Sequence, residues 1–231
     1  MSFPESFKAL VVGSSGAIGG AFVQQLQQHP NCTEVHTLSR TENPGFDITS
    51  EASIAEHVQA LAGQGPFHVV VDATGALSIN SKGPEKAISQ VAADNLQQSF
   101  LINATGPMVL LKQLAPLLAA GPVWYVKLSA RVGSISDNSK GGWYAYRAAK
   151  AALNQLLQTS AIELQRRRPE LRVVAIQPGT VRSKLSEPFQ AGVPHLLEPH
   201  ESVAGMMQAL QSLQPKVGAH YVDWQGQEIG W

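Results

Sequence analysis

Two side chains in this sequence have the types and the spacing for proton chemistry. Tyr146 and Lys150 stand four residues apart in Tyr144-Ala145-Tyr146-Arg147-Ala148-Ala149-Lys150, and on a helix that interval places both on one face, a turn apart. A tyrosine ordinarily loses its proton at about pH 10, and an adjacent ammonium favours the phenolate, moving the group toward working pH. A phenol primed in this way can protonate an alkoxide or take the proton of an alcohol. Aromatic and basic residues also fall at this spacing by chance, so the pair acquires meaning only from its surroundings.

A run of glycines supplies those surroundings. Gly13, Gly16 and Gly19 lie in Val11-Val12-Gly13-Ser14-Ser15-Gly16-Ala17-Ile18-Gly19, between an apolar run at 8–12 and a stretch of helical period at 17–28 in which Ile18, Phe22 and Leu26 recur every fourth position. Glycines there permit a tight turn and let backbone N–H groups approach a pyrophosphate, whose charge is favoured at a helix N-terminus. An ordinary strand-to-helix turn can look the same; a strand and a helix on the correct sides favour the nucleotide reading. At the end of the next strand, dinucleotide sites usually carry an acidic residue for the ribose hydroxyls. Here Thr37-Leu38-Ser39-Arg40 offers neutral Ser39 and cationic Arg40. That favours NADP(H) over NAD(H), with Arg40 on the 2′-phosphate.

Alternating strands and helices must position these residues. Apolar runs at 8–12, 34–38, 67–71, 123–128 and 171–176 read as strands, and 219–224 as an edge strand. Helical period appears at 17–28, around Ile54, Val58 and Leu61, and at 85–104, 106–119, 145–167 and 202–213. The pattern predicts an α/β fold: one doubly wound parallel sheet with helices on both faces, a single domain over residues 1–231. Between 182 and 200 the periodicity fades and Pro188, Pro194 and Pro199 punctuate the chain. That loop, with Trp143, Tyr144 and Phe189, is a candidate substrate wall.

Composition excludes several classes. The 231 residues are 44% hydrophobic, enough for a substantial core, and 17 basic against 17 acidic side chains leave no cationic surplus. Nucleic acid and anionic membrane are therefore poor partners. No run approaches the roughly 18 apolar residues that span a bilayer. The single Cys32 makes no internal disulfide, and the opening residues lack the basic-then-apolar pattern of an export signal, so a cytoplasmic protein is expected. The seven histidines show no metal-binding spacing, which argues against metal catalysis. Arg166, Arg167 and Arg168 read as cations complementing a helix C-terminus.

With the glycine turn, the tyrosine-lysine helix resembles the short-chain dehydrogenase/reductase family, and the resemblance covers nearly the whole chain. Val71-Asp72-Ala73-Thr74-Gly75 is similar to the NNAG stretch after the family's fourth strand, with Asp72 and Thr74 departing from the usual residues. Asp47-Ile48 matches the pair that borders the adenine, and Asn103 the helix asparagine that helps organise a proton-relay water. Pro178-Gly179-Thr180-Val181 resembles the motif beside the nicotinamide. Within the family, RVGSISDNSKGGWYAYRAAK and the ending SVAGMMQAL…DWQGQEIGW are most similar to the bacterial C-factor group.

The resemblance implies a Rossmann-like fold and hydride transfer between NADP(H) and a small or medium carbonyl/alcohol substrate. It makes Tyr146 the acid/base, Lys150 the group that tunes it and holds the ribose, and Asn103 the third catalytic residue. Cofactor contacts are implied for Gly13, Ser14, Ser15, Ala17, Ile18, Gly19, Ser39, Arg40, Asp47, Ile48, Ala73, Thr74, Gly75, Tyr146, Lys150, Pro178, Gly179 and Val181. A homodimer or homotetramer through the helices at 106–119 and 145–167 is implied as well.

Two departures bear on the chemistry. The family's GxxxGxG turn has Ala17 at its fifth position, and that methyl is small enough for pyrophosphate approach. The serine that polarises the carbonyl, three residues before a glycine, is replaced by Ala130 in Leu128-Ser129-Ala130-Arg131-Val132-Gly133. Ser129 is adjacent but on an extended segment points the other way, and Ser134 lies beyond the glycine; either substitutes, or no serine does. Removing such an oxyanion donor costs about 3 to 4 kcal/mol elsewhere. The alternative function is thus a nucleotide-binding signalling or scaffold protein of the C-factor type with little or no turnover.

Overall fold

Strands β1 (Phe7–Val12), β2 (Cys32–Leu38), β3 (Val69–Asp72), β4 (Val123–Leu128) and β5 (Leu171–Gln177) are followed by the short β6 (Thr180–Val181) and β7 (Leu196–Leu197) and by β8 (His220–Asp223). Helices α1 (Ala17–Gln28), α2 (Glu51–Ala60), α3 (Ala93–Phe100), α4 (Gly106–Leu114), α5 (Tyr144–Gln165) and α6 (Pro199–Ser212) alternate with them. The computed structural model describes residues 3–80, 82–191 and 195–231.

The main sheet has the order β2-β1-β3-β4-β5-β8, and each neighbouring pair is parallel. Successive strand residues point to opposite faces, and both faces are covered. Leu10, Val12, Val70, Tyr125 and Val173 pack against α2, α4 and α5. Ala9, Val11, Val69, Trp124 and Val174 pack against α1 and α6. This double burial is why the strands read as continuous apolar runs. From β1 the chain winds outward to β2, then returns to the other side of β1 at β3. The reversal opens a crevice at the carboxyl ends of β1 and β3, the usual place for a ligand in such sheets.

Most expected elements occur near their expected limits; the helix expected over 106–119 ends at Leu114 and passes into a 3-10 turn at Ala115–Leu117, and the stretch before Ala93 departs further. Helix is absent from most of 85–92, where only a 3-10 turn at Ile88–Gln90 forms, and α3 begins at Ala93. Tertiary contacts take over there. The Glu85 carbonyl accepts from Trp143 N (2.5 Å) and its carboxylate from Ala145 N (3.1 Å), which ties this segment to the start of α5. From Ala93 the chain stays helical to Leu114, through a π-helical turn at Leu101–Thr105. A β-carbon on Gly106 would lie 2.1 Å from the Ile48 carbonyl oxygen, so a glycine lets this helix pass the loop before α2.

The described residues of the segment 182–200 carry regular structure that its composition does not suggest. They hold a 3-10 turn at Glu187–Phe189 and β7, which pairs with β6. The last helix starts at Pro199, earlier than 202, because Glu198 and Glu201 form a capping box around it. Pro194 lies outside the described residues. Among the described residues no helix is long and apolar enough to cross a membrane, and no group of three or more His, Cys, Asp or Glu is disposed to hold a metal.

Candidate active site

The glycine turn opens the site. Gly13 ends β1 at φ +83°, and a β-carbon there would lie 3.0 Å from the Ala73 carbonyl carbon. A β-carbon on Gly19 would lie 2.1 Å from the Gly13 carbonyl oxygen. Only glycine fits either place. Gly16 is the N-cap of α1 and no side chain caps that helix, nor does its first turn carry an acidic residue. Its uncapped N–H groups and positive dipole end suit a phosphate. These features fit a dinucleotide pyrophosphate.

A cavity of about 600 Å³ runs from this turn to α5. Ser15, Gly16, Ala17, Ile18 and Gly19 line it together with Arg40, Ala73, Thr74, Gly75, Tyr146, Lys150 and Pro178. An adjoining chamber is lined by Gly13, Ser39, Arg40, Asp47 and Ile48 as well as by Ala73, Thr74 and Gly75. A third is lined by Tyr146, Trp143, Phe189, Ala130, Gly179 and Val181. Residues from seven separate stretches of sequence thus line these three chambers.

Several expected residues sit differently. Ser14 is buried beneath the turn, and its hydroxyl donates to Glu42 Oε2 at 2.5 Å; the Ser39 hydroxyl donates to the same oxygen at 3.0 Å. Those bonds, Ser14 foremost, hold the Glu42 carboxyl below its ordinary range. Asp47 is likewise lowered, by bonds from the Thr49 amide and hydroxyl, with Arg40 adding a smaller pull. Asn103 is buried on the π-helical turn, and both ends of its amide are used on the backbone of Ala76, at 3.0 and 2.9 Å. Tyr144 is exposed and lies off the walls, whereas the Trp143 and Phe189 rings meet with centroids 4.9 Å apart. Tyr144 occupies the first turn of α5 and faces outward.

Both candidate serines have hydrogen-bond partners within the protein. Ser129 lines the cavity but gives its hydroxyl proton to Asn154 Oδ1 at 2.6 Å. Ser134 is buried, shares a bond with Ser136 and accepts from Asp137 N. Ala130 lines the wall, its carbonyl accepting from the Tyr221 hydroxyl at 2.7 Å. Of the two serines, only Ser129 lines the cavity.

Electrostatics around Tyr146 run against the expected priming in the protein by itself. Burial pushes the Tyr146 phenol up, and the Tyr221 phenol adds to this. Burial also lowers Lys150 to about 7, helped by Lys127 and opposed by Asp72. The Lys150 ammonium lies 5.6 Å from the Tyr146 ring centre and donates to the Leu128 carbonyl at 3.0 Å. Desolvation therefore outweighs the charge of the neighbour.

Sequence reasoning missed the residues that hold this site from behind. Arg147 donates to the carbonyls of Gly142, Gly141 and Val132. It braces a left-handed turn in which Gly141, Gly142 and Trp143 all have positive φ. Trp143 at φ +55° is strained for a non-glycine residue, a feature that tends to gather at functional sites.

A family model described as enoyl-(acyl carrier protein) reductase matches residues 20–214. The C-signal protein of Myxococcus xanthus is 32% identical over 169 residues, 72% of this chain and 94% of that protein. The chain belongs to the short-chain dehydrogenase/reductase family. A 1-hydroxy-2-glutathionyl-2-methyl-3-butene dehydrogenase of Rhodococcus sp. (strain AD45) is 25% identical over 96% of this chain and 98% of its own length. A Burkholderia multivorans protein assigned to the same family, solved with bound NADP, superposes with a TM-score of 0.81 at 25% identity, covering 99% of this chain and all of that one. The NADPH-bound carbonyl reductase from chicken fatty liver has the same fold, with a TM-score of 0.84 at 20% identity over 100% of this chain and 96% of that one. Family membership makes this chain an oxidoreductase.

Proposed function

We propose that this oxidoreductase transfers hydride between NADP(H) and a small or medium carbonyl/alcohol substrate, with Tyr146 as the acid/base. The observation that carries the reading is the convergence of Tyr146 and Lys150 on one cavity with the glycine turn and Pro178. The nicotinamide supplies the hydride when bound. The residues around it do the rest. The turn from Gly13 to Gly19 receives the pyrophosphate, and Ala73, Thr74 and Gly75 form the floor. Asp47 and Ile48 border the adenine, while Pro178, Gly179 and Val181 border the nicotinamide.

Tyr146 gives a proton to the alkoxide as a carbonyl is reduced, or removes one in the reverse direction. Lys150 holds the ribose, and its ammonium then supports the phenolate. Asn103 acts by holding the Ala76 loop. Arg40 favours the 2′-phosphate of NADP(H), and bound NADP or NADPH in related folds supports that choice. The chamber beyond Tyr146, walled by Ile18, Leu77, Trp143, Val181, Leu185 and Phe189, suits an apolar substrate. Equal numbers of basic and acidic side chains favour such small molecules over nucleic acid or membrane. We further infer one NAD(P)-binding domain in a cytoplasmic homodimer or homotetramer formed through α4 and α5.

The likeness to C-signal and the missing serine favour a second reading, a nucleotide-binding signalling protein with little turnover. NADPH consumption against a panel of aldehydes and ketones separates the two. Turnover that Tyr146→Phe lowers by about a hundredfold or more, with NADPH binding retained, supports the enzyme. Tight NADPH binding without turnover on any carbonyl supports the second.

A further inference from the structure

The register of β3 and β4 sets Asp72 opposite Lys127 in the middle of the sheet. Both side chains are completely buried and pair at 2.9 Å. Burying two charges generally costs as much as their attraction returns, so stability alone does not account for the pair. Its contacts converge on one residue. Lys127 Nζ donates to the Thr74 carbonyl at 2.6 Å and to Thr74 Oγ1 at 3.0 Å. Asp72 Oδ1 accepts from Thr74 N at 2.9 Å and from Thr74 Oγ1 at 2.6 Å. Every polar atom of Thr74 is held by the two charges.

Thr74 in turn lies between the two halves of the cavity. On one side a β-carbon on Gly13 would be 3.1 Å from Thr74 N, so the glycine turn rests on this peptide. On the other, the β-carbon position of Gly75 is 3.1 Å from Asn103 Oδ1 and 3.7 Å from Lys150 Nζ. The two departures at Asp72 and Thr74 are parts of one arrangement completed by Lys127.

We propose that the Asp72–Lys127 pair is a positioning device for the dinucleotide cavity: it pins Thr74 so that the glycine turn and the Gly75, Asn103 and Lys150 group keep one fixed separation. Neither residue touches reacting atoms. The proposal rests on the reading of this cavity as the dinucleotide site. Lys127 is also near enough for its charge to help lower Lys150, which is consistent with a shared cluster.

Lys127→Met alone leaves the Asp72 carboxylate buried with its Thr74 hydrogen bonds but no counter-ion and is expected to unfold the protein. The test therefore uses the double variants D72L/K127M and D72N/K127M, each scored by thermal melting and by NADPH titration without substrate. D72L/K127M should stay folded and bind NADPH about tenfold more weakly. D72N/K127M, whose amide still accepts from Thr74 N, should recover most of that loss. Folded double variants with unchanged NADPH affinity would overturn the proposal. Unfolding of both would also overturn it, because the pair would then hold the whole fold and not the loop. If the unmodified protein binds no NADPH, the reading of the cavity fails first, and the proposal with it.

Discussion

Lys150 offers a prediction that does not depend on finding the substrate. In the free protein burial lowers its pKa to about 7, whereas an ordinary lysine titrates at about 10.4. At pH 8 such a group is about one-tenth protonated. Oxygen acceptors of a bound nucleotide, added to the Leu128 carbonyl, would favour the charged form. NADPH binding at pH 8 should then take up a fraction of a proton per site, up to about 0.9 where Lys150 becomes fully charged. Calorimetric titration in two buffers of different ionisation enthalpy measures that number directly, and Lys150→Met should abolish it. Affinity should correspondingly strengthen as pH falls from about 9 toward 7. The sign for stability is opposite. Between about 7 and 10 the free native state holds fewer protons at Lys150 than the unfolded chain, so this group makes stability rise with pH. Tight NADPH binding with no buffer dependence in the unmodified protein would refute the reasoning.

Other expectations follow from particular contacts. Arg40→Ala should weaken NADPH about tenfold to a hundredfold and leave NADH nearly unchanged; equal losses for both in a titration would remove Arg40 from the 2′-phosphate. Glu42→Gln, which removes a negative charge beside Ser14 and Ser39, should tighten NADPH by about two- to fivefold, and a loss of affinity would mean that its carboxylate supports the nucleotide site. Ala130→Ser should raise turnover if the absent donor limits the chemistry; unchanged kcat on the best carbonyl would show that another group already supplies it. Gly19→Ala drives a methyl into the Gly13 carbonyl and should cost about 3 kcal/mol or more of stability, read as a lowered Tm; a parental Tm would show that the turn can open.

Local chemistry made part of this legible. The glycine spacing and the uninterrupted apolar strands are direct consequences of close backbone approach and double-sided burial, so β1, the turn and α1 could be read from a short stretch of residues. The four-residue interval likewise placed Tyr146 and Lys150 on one helical face. What escaped depends on partners far apart in sequence. Glu85 reads as the start of a helix but serves the N-terminus of α5, 60 residues away. Lys127 looks like a charge interrupting an apolar strand until the register with Asp72 is known. Glu42 carries no motif, and its role depends on the chain folding back toward Ser14. Desolvation is equally invisible in a sequence. Charge proximity predicts a lowered Tyr146 phenol, whereas burial raises it.

The central claim is that Tyr146 serves hydride transfer, and isotopic labelling tests it most directly. With NADPH deuterated at the transferable position and the best carbonyl of the panel, the alcohol formed should carry deuterium on its carbinol carbon, and Tyr146→Phe should reduce that labelled product by about a hundredfold or more while still binding NADPH. Label transfer that proceeds equally well without the phenol, or its absence in a protein that binds NADPH tightly, would contradict the account.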